Sequence, residues 1–492
     1  MPHFRFYPLE CFRKDISGDP LKDFAALERA ALAAELAGDA AAMVEARREL
    51  AQLEPQSPAA RLALARALEK SGDLRAAVQA CTEALQRGAT AHLQLAKLHA
   101  RMGKHSLALQ QLKKALTAEP ASGEALFLTA MCLHRLRRYA EAVKHFTRAL
   151  GQDPASPQLH FNLALARFEA GDLAGAVETL AHCHALKRGA AAAEFPPQEM
   201  AANDVKLQHD LEQLEYLLEL GRLPADYRKV ADEYRALLQE MRGATGAGVV
   251  APFNVHRYPL VARHWKRPLY MAPGAAGKQP VIDPRLDARK LESEYQRARP
   301  GLVVVDGLLT PEALAALRRY CRESTIWNNI QAGYLGAYFF DGFACELVLR
   351  IAQELRERLA RIVRGLPLQM AWGYKYDATL QGIGVHADAA AVNVNFWITE
   401  DDANLEPEGG GLLVYPHKAP ADWDFEKFNR DPPAIMRFLE GAGSKPIRVP
   451  HRANRAVIFD SDLFHATDAL RFRDGYLNRR INVTLLYGQR GE

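Results

Sequence analysis

An internal repeat in the first half of the chain restricts its fold more than any other feature. Five short turns recur at steps of 34, 31, 34 and 34 residues, and each precedes a helix rich in small residues. These turns are Gly38-Asp39, Gly72-Asp73, Gly103-Lys104, Arg137-Arg138 and Gly171-Asp172. A period of this length is typical of helical repeats, in which each unit buries its apolar face only against its neighbours. The pattern therefore predicts an all-α array of about five helix pairs over residues 24–187.

Small side chains occupy matching positions in four of the repeats, where they would let paired helices approach closely. These positions are Ala77, Ala108, Ala142 and Ala176. In period and in signature the array resembles the tetratricopeptide repeat. That resemblance implies a concave surface that binds a peptide or protein. A scaffold that holds a homodimer together, or braces the next domain, is the alternative.

Two more helices and a linker are predicted after the array. Apolar residues at helical spacing indicate helices at about 203–220 and 225–243, so we expect the segment 188–243 to cap the last repeat. Residues 244–300 are rich in Gly, Pro and Arg, which predicts an extended connector. A second domain is then expected over residues 301–490.

Charge and hydropathy exclude several classes of protein. The formal net charge is +4 and no basic stripe is concentrated along the chain, so we expect no nucleic-acid partner. The sequence contains no apolar run of 18 residues and no apolar leader, which predicts a cytoplasmic protein without a membrane partner. The six cysteines form no CxxC pair and are expected to be small buried thiols.

Beyond residue 300 the pattern changes from helical to alternating. A β-branched run at 302–309 ends at Thr310-Pro311, which suit the start of a helix, and a second helix is predicted at about 344–363. Strands are then predicted at 369–377, 383–388, 391–398, 411–415, 446–449, 455–459 and 479–487. Short strands separated by Gly- and Pro-rich turns indicate an all-β barrel or sandwich.

Three residues of this region form a candidate metal site. His386 and Asp388 are two apart in a predicted strand, so both side chains would point to one side. His465 follows another strand-like run and would supply a second imidazole. Two histidines and one carboxylate bind one face of iron(II) and leave its other positions open.

A third element strengthens that prediction. Arg480 begins the last predicted strand, 15 residues beyond His465. Alternation places Arg480, Asn482 and Thr484 on one face, which we expect to line the barrel. There Arg480 would bind a carboxylate through a paired, charge-assisted hydrogen bond, while Arg479 would point away.

Together these motifs resemble the 2-oxoglutarate- and iron(II)-dependent oxygenases over about residues 300–490, in their prolyl-hydroxylase-like and phytanoyl-hydroxylase-like branches. The resemblance implies a double-stranded β-helix, or jelly roll, with supporting helices. It implies iron(II) held by His386, Asp388 and His465, with 2-oxoglutarate and O2 as cosubstrates. By the same resemblance Arg480 binds the distal carboxylate of 2-oxoglutarate. Tyr376 is expected to assist, with Tyr374 as the alternative, and Asn395 is expected to lie near the cosubstrate.

The sequence also departs from the family pattern. Many prolyl hydroxylases have Lys where Arg480 stands, which argues against a strict prolyl assignment. Halogenating relatives replace the carboxylate ligand with a small residue, so Asp388 favours hydroxylation. The insertion 416–452 between the metal-binding segments is long enough to predict a lid or a binding loop.

The function expected from the sequence is hydroxylation of a side chain in a protein or peptide that the repeats recruit. Two alternatives remain open at this stage. One is a small-molecule biosynthetic hydroxylase in which the repeats are a dimerisation scaffold. The other is a binding protein whose oxygenase domain is inactive.

Overall fold

Twelve α-helices follow one another from Pro20 to Ala244 in the computed structural model, which describes residues 20–189, 195–196, 199–298, 300–363, 365–377 and 382–491. They are α1 (Pro20–Ala37), α2 (Ala40–Leu53), α3 (Pro58–Lys70), α4 (Leu74–Gln86), α5 (His92–Arg101), α6 (His105–Ala118), α7 (Gly123–Arg135), α8 (Tyr139–Leu150), α9 (Pro157–Glu169), α10 (Leu173–Arg188), α11 (Asp204–Glu219) and α12 (Tyr227–Ala244). The first ten form five antiparallel pairs, as the repeat period predicts.

The repeated turn joins the two helices of each pair. Its first residue has a positive φ at Gly38, Gly72, Gly103, Arg137 and Gly171. Glycine adopts this conformation without strain, and Arg137 adopts it at φ 59° where the fourth turn has no glycine. In three of the turns the following aspartate caps the second helix, as Asp73 does by accepting a hydrogen bond from the Ala76 N–H at 3.0 Å. The Gly-Asp motif therefore encodes both the reversal of the chain and the start of the next helix.

The four matching alanines lie at the helix–helix contacts. Ala77, Ala108, Ala142 and Ala176 are all fully buried. A larger side chain at any of these positions would have to displace packed neighbours, so the small residue sets the close approach of the helices.

The chain divides into two compact units, Met1–Pro154 and Ala155–Glu492. The first unit holds α1 to α8, and the fifth helix pair, α9 and α10, belongs to the second unit. Leu165, Phe168 and Leu180 of this pair lie in the same apolar core as the second unit's large sheet. The step of 34 residues into the fifth pair equals most of the earlier steps, so the period alone does not reveal this division.

Ion pairs also join the fifth helix pair to the rest of the second unit. Glu169 of α9 accepts a hydrogen bond from Arg356 at 2.6 Å and another from the Leu368 backbone N–H at 2.9 Å. Arg188 of α10 binds both carboxylate oxygens of Asp341, at 2.8 and 2.9 Å. These paired contacts hold α9 and α10 in a fixed position against the rest of the second unit.

This packing predicts which fragments fold. A fragment of residues 155–492 should unfold in one cooperative transition, whereas a fragment of residues 250–492 should be unfolded or aggregate. Each buried Leu or Phe contributes about 1.5–3 kcal/mol, so losing Leu165, Phe168 and Leu180 removes much of a typical stability of about 5–15 kcal/mol. Near-UV circular dichroism during heating tests this, and a native-like, cooperative 250–492 fragment would contradict it.

Helices α11 and α12 form a hairpin with a core of its own. Leu211, Leu214 and Leu237 pack there with Trp265, which comes from the segment predicted to be a connector. That segment, 244–300, contains the helices α13 (Pro259–His264) and α14 (Ala288–Arg297) and buries several of its side chains. Its Gly, Pro and Arg content predicts an extended connector. In the structure the segment is packed instead, because its aromatic side chains are buried against apolar residues.

Among its described residues, the second unit contains three antiparallel sheets and, after α14, five further helices. Its strands are β1 (Ala201–Ala202), β2 (Ala251–Pro252), β3 (Leu302–Asp306), β4 (Asn329–Ile330), β5 (Tyr334–Tyr338), β6 (Leu368–Tyr376), β7 (Val392–Trp397), β8 (Leu412–Lys418), β9 (Ile447–Val449), β10 (Arg455–Asp460), β11 (Leu463–Thr467) and β12 (Ile481–Tyr487). The further helices are α15 (Pro311–Glu323), α16 (Glu346–Arg358), α17 (Ala360–Val363), α18 (Phe425–Arg430) and α19 (Pro432–Gly441).

The large sheet has the strand order β3-β10-β7-β12-β6-β5-β4, and a small sheet has the order β11-β8-β9. The third sheet is the pair β1-β2. One face of the large sheet packs on helices, where Ile481, Val483 and Leu485 of β12 enter the main core. The opposite face packs partly against the small sheet, through apolar residues such as Trp397 and Val414. This second face, called the inner face below, carries the candidate site.

The described cysteines are buried and free, as the sequence predicts. They are Cys81, Cys132, Cys183, Cys321 and Cys345, and Cys11 lies outside the described residues. Burial raises the pKa of each thiol, to about 11 for Cys81 and to about 12 for Cys321, so the inert protonated form dominates. Among the residues that the structure describes, no helix combines the length and apolar composition needed to cross a bilayer.

Candidate metal centre

Two segments that are distant in sequence meet at the candidate metal site. His386 and His465 exchange two backbone hydrogen bonds, at 3.0 and 2.8 Å, and so form an isolated β-bridge. The strand predicted at 383–388 is otherwise absent, because the segment leaves the extended course on both sides of this bridge. The Asp388 N–H is held instead by the Ser461 carbonyl at 3.0 Å. The structure therefore brings His386, Asp388 and His465 together through a bridge rather than through a regular strand.

Hydrogen bonds orient both imidazoles. The Nδ1 of His386 lies 2.9 Å from the Gly384 carbonyl, and the Nδ1 of His465 lies 3.0 Å from the Leu463 carbonyl. A carbonyl only accepts, so each Nδ1 carries a proton, and in a neutral ring the Nε2 then presents a lone pair. Burial, together with the neighbouring His465, lowers the pKa of His386 to about 4, which keeps this ring neutral at physiological pH. Neutral rings fixed in this tautomer are what a metal ion requires.

The Asp388 carboxylate faces both free nitrogens. Its oxygens lie 3.9 Å from the Nε2 of His386 and 3.5 Å from the Nε2 of His465. The Asn393 side-chain amide donates a hydrogen bond to the same carboxylate at 2.8 Å. Burial favours a raised pKa, but the two neighbouring histidines and the hydrogen bond from Asn393 leave the pKa of Asp388 below its usual value. The carboxylate is thus held in its charged form at a buried position.

The donor atoms of the three residues lie within 4.8 Å of one another. Among the described residues, no other group of three His, Cys, Asp or Glu side chains meets this distance. Two neutral nitrogens and one carboxylate oxygen suit a divalent transition metal such as iron(II).

Arg480 lies immediately before β12 and is almost fully buried. Its guanidinium donates to the carbonyls of Gly410 at 2.7 Å and Gly411 at 3.0 Å, and to the side-chain oxygen of Asn482 at 3.3 Å. All three acceptors are neutral, and no carboxylate among the described residues lies within 4.0 Å of the guanidinium. Burial lowers the pKa of Arg480, against the opposing influences of Tyr376 and, more weakly, of the Asp468 carboxylate. A buried cation with only neutral partners provides a binding site for an anion.

The neighbouring arginine has a different environment. Arg479 binds Glu212 of α11 at 2.8 Å and lies 3.6 Å from Asp377. Successive residues point to opposite faces of the sheet, so Arg480 enters the candidate site while Arg479 joins β12 to the helical layer.

The remaining predicted site residues line the same cleft as the triad and Arg480. The Tyr376 ring lies 4.5 Å from the Arg480 guanidinium, and its hydroxyl lies 3.4 Å from that of Thr467. Tyr374 is further from Arg480 along β6 and hydrogen bonds to Tyr338 at 3.1 Å. Asn395 donates to the Thr484 hydroxyl at 3.1 Å. The cleft holds about 340 Å³ of non-protein space, including its open mouth.

Sequence reasoning missed the contact between Asn393 and Asp388 and the position of Thr467. A signal for the first is present, since Asn393 and Asn395 are amides inside an otherwise apolar strand and need partners. No sequence pattern indicates which amide faces the carboxylate, because that depends on how β7 pairs with its neighbours.

The insertion 416–452 packs behind the triad. Helices α18 and α19 lie in it, and Phe428, Ile435 and Leu439 share an apolar cluster with Ala387 and Phe464. The Ala387 N–H donates to the Phe428 carbonyl at 3.0 Å, and the Ala387 carbonyl accepts from Asn429 at 2.8 Å. We call these two contacts the Ala387 clamp. The clamp holds the backbone between His386 and Asp388 from both sides.

Comparison with known proteins identifies the repeats. The tetratricopeptide repeat family matches residues 93–157 and again residues 133–193. No curated protein sequence matches the chain. Similar solved structures include MamA protein (14% identity over 36% of this chain and 99% of that chain, TM-score 0.33). MamA 41-end from Desulfovibrio magneticus RS-1 is 18% identical over 35% of this chain and 98% of that chain, with a TM-score of 0.33. YrrB, described as a TPR protein with an unusual peptide-binding site, is 18% identical over 36% of this chain and 92% of that chain, with a TM-score of 0.32. The two family matches show that the N-terminal region of the chain carries tetratricopeptide repeats.

Proposed function

We propose that the second unit is an iron(II)- and 2-oxoglutarate-dependent oxygenase with a double-stranded β-helix, or jelly-roll, fold. One observation carries this proposal: a buried guanidinium without an acidic hydrogen-bond partner shares a cleft with two imidazoles and a carboxylate. A metal site alone fits many reactions. A metal site beside a buried arginine fits a cosubstrate that chelates the metal at one end and carries a carboxylate for the arginine at the other.

The residues present fit both groups. His386, Asp388 and His465 would hold iron(II), because the Nδ1 of each imidazole is hydrogen bonded to a carbonyl, which leaves the Nε2 to face the metal, and the carboxylate is charged. Arg480 would bind the distal carboxylate of 2-oxoglutarate, and Tyr376 packs on the guanidinium and limits its movement. Asn395 would lie beside the cosubstrate from the neighbouring strand.

Bound iron(II) supplies a coupled oxidation, in which 2-oxoglutarate and O2 yield succinate and CO2 while a substrate C–H bond becomes C–OH. One oxygen atom of O2 enters succinate and the other enters the product, so atoms and electrons balance. The protein's residues supply position and charge: Asn393 holds Asp388, the backbone carbonyls orient the imidazoles, and Arg480 fixes the cosubstrate.

The substrate in this proposal is a protein or peptide that the repeats recruit. Helical repeat arrays commonly bind polypeptides on their concave surface, and the first unit contains four such helix pairs. A small-molecule substrate remains the alternative, and the experiments below separate the two.

The full chain should form succinate and CO2 in equal amounts from 2-oxoglutarate in air when iron(II) is supplied. Zinc(II) should support binding of 2-oxoglutarate but no succinate formation. The matched control is 2-oxoadipate, which is one methylene longer and should react poorly because Arg480 is fixed by three hydrogen bonds. Failure of 2-oxoglutarate to bind the metal-loaded chain in calorimetry would overturn the proposal.

The same assay tests recruitment by comparing the full chain with the 155–492 fragment. Both should form succinate slowly without substrate. If the first unit binds the substrate, hydroxylation of a protein substrate should fall in the fragment, because affinity and effective concentration at the site are lost. Equal coupled rates for the two proteins would favour the small-molecule alternative.

A further inference from the structure

Aromatic side chains cover the inner face of the large sheet beside the metal cleft. In the pairing of β5 with β6, Tyr338 lies opposite Trp372 and Gly336 lies opposite Tyr374. Gly336 has no side chain, and a Cβ there would lie 3.1 Å from the Tyr374 ring. The glycine therefore lets that ring lie over the edge of the sheet. We call the four rings involved the aromatic wall: Tyr334, Tyr338, Trp372 and Tyr374.

The rings of the aromatic wall form a continuous surface. Ring centroids are 6.3 Å apart for Tyr338 and Trp372, 5.9 Å for Trp372 and Tyr374, and 5.0 Å for Tyr334 and Tyr374. Aromatic faces attract cations, most strongly when the cation is removed from water. No Lys or Arg among the described residues lies over any of these four rings. The aromatic wall is thus free to bind a cation from another molecule, because no described Lys or Arg occupies it.

Hydrogen-bond acceptors lie in the same cleft. The side-chain oxygens of Asn393 and Asn395 are buried and have no partner among the described residues. The orientation of Asn393 is fixed, because its nitrogen donates to the Asp388 carboxylate, which can only accept. At neutral pH 2-oxoglutarate carries carboxylates and a ketone but no donor, so it cannot satisfy these oxygens. A donor must therefore come from water or from the substrate.

The acceptors and the aromatic wall are aligned across the sheet. Asn395 pairs with Thr484, and Thr484 pairs with Trp372, so the three residues lie in one row over neighbouring strands. Strands are about 4.8 Å apart, so roughly 10 Å separates the backbones at Asn395 and Trp372. A long side chain with N–H donors and a positive charge could contact the ring and the amide oxygen together.

We propose that the side chain hydroxylated by this enzyme is basic, either lysine or arginine. This inference rests on the proposed oxygenase function. The charged end of the substrate lies against the aromatic wall and donates to Asn395 or Asn393. One aliphatic C–H of that side chain becomes C–OH, with 2-oxoglutarate and O2 as the co-reactants and succinate and CO2 as the other products.

Two further contacts favour a polypeptide as the source of the basic side chain. Aromatic rings continue from Tyr338 to Phe340 at 5.5 Å and from Phe340 to Phe161 of α9 at 5.8 Å, well beyond the length of one residue. The indole N–H of Trp372 is buried without a partner among the described residues. A main-chain carbonyl of a bound peptide would be a suitable acceptor for it.

Binding to the full chain, loaded with zinc(II) and 2-oxoglutarate to prevent turnover, tests the inference by calorimetry. The probes are Gly-Ser host peptides whose central residue is arginine, lysine or the neutral analogues citrulline and norleucine. Free arginine and free lysine are measured beside them. A basic peptide should bind about tenfold more tightly than its neutral analogue. With iron(II) and O2, the preferred basic probe should gain 16 mass units.

Variants of the aromatic wall sharpen the test. Trp372→Leu should weaken binding of the basic peptide about tenfold and leave the neutral peptide unchanged, whereas Trp372→Phe should keep most of the affinity. Asn395→Asp should strengthen binding of the basic peptide and Asn395→Leu should weaken it. Equal losses for basic and neutral peptides in Trp372→Leu would overturn the inference.

The outcomes separate this inference from the oxygenase proposal. Equal affinity for basic and neutral probes, with normal succinate formation, overturns the basic substrate and leaves the oxygenase. A clear preference for basic probes without any succinate formation supports the basic site and removes the oxygenase. Tighter binding of free arginine or lysine than of the peptides supports a basic substrate whose source is a small molecule.

Discussion

The Asp388→Ala variant should lose iron(II) binding and, with it, all succinate formation. Asp388 is the one anionic ligand of the triad, because a histidine binds a metal as an uncharged imidazole. Loss of a residue that merely supports a metal ligand typically weakens metal affinity about 10–100-fold, so loss of the charged ligand itself should cost at least about 100-fold. Titration of the metal-free protein with iron(II) under anaerobic conditions, followed by a succinate assay, measures both effects.

The chain offers a matched control for this variant. Asp462 lies at the turn between β10 and β11, three residues before His465, and pairs with Lys418 at 3.3 Å. It does not line the cleft, so Asp462→Ala should bind iron(II) with near-normal affinity. Full turnover by Asp388→Ala would show that the triad is not the metal site.

The Arg480→Leu variant should bind 2-oxoglutarate roughly 100- to 4,000-fold more weakly. Without the guanidinium, the distal carboxylate would be buried without a partner, a loss of about 3–5 kcal/mol. Iron(II) affinity should change little, because Arg480 donates only to Gly410, Gly411 and Asn482. Arg480→Lys keeps the charge but not the planar pair of donors. Its affinity for 2-oxoglutarate should therefore lie between that of the unsubstituted chain and that of Arg480→Leu. Calorimetry with the zinc(II)-loaded protein provides the measurement.

Arg479 serves as a control of a different kind. Because Arg479 is itself buried against Glu212 and Asp377, Arg479→Leu should lower the free energy of unfolding by roughly 3 kcal/mol. Its affinity for 2-oxoglutarate, measured below the melting transition, should stay near normal. If the two leucine variants lost the cosubstrate equally, the assignment of the two arginines to opposite faces would be wrong.

Much of the fold could be predicted because local chemistry encodes it. The positive φ at Gly72 and the cap from Asp73 are local, so the repeat turn can be recognised from sequence. The strands β6, β7 and β12 have clear apolar alternation and lie within a few residues of their predicted positions. For the candidate site, the spacing of His386 and Asp388 and the resemblance to a known family together point to residues that the structure brings into one cleft.

Other features depend on long-range packing and could not be predicted. The fifth helix pair has the same period as the others, yet Phe168 and Leu180 belong to the core of the second unit. The short strand β5 contains Gly336, which reads as a turn residue, although here it makes room for Tyr374. Likewise, α18 and α19 are short helices within an insertion that sequence reasoning treated as a lid or binding loop.

The Ala387 clamp has a thermodynamic consequence. The Phe428 carbonyl and the Asn429 side chain hold the peptide that connects two of the proposed metal ligands, so the two helices of the insertion and those ligands share one stretch of backbone. Coupling between folding of the insertion and metal binding is reciprocal. If the folded insertion increases metal affinity, bound metal stabilises the folded insertion by the same free energy. Residues of the insertion, which lie outside the cleft, can therefore raise or lower iron affinity without changing the residues that carry out the chemistry.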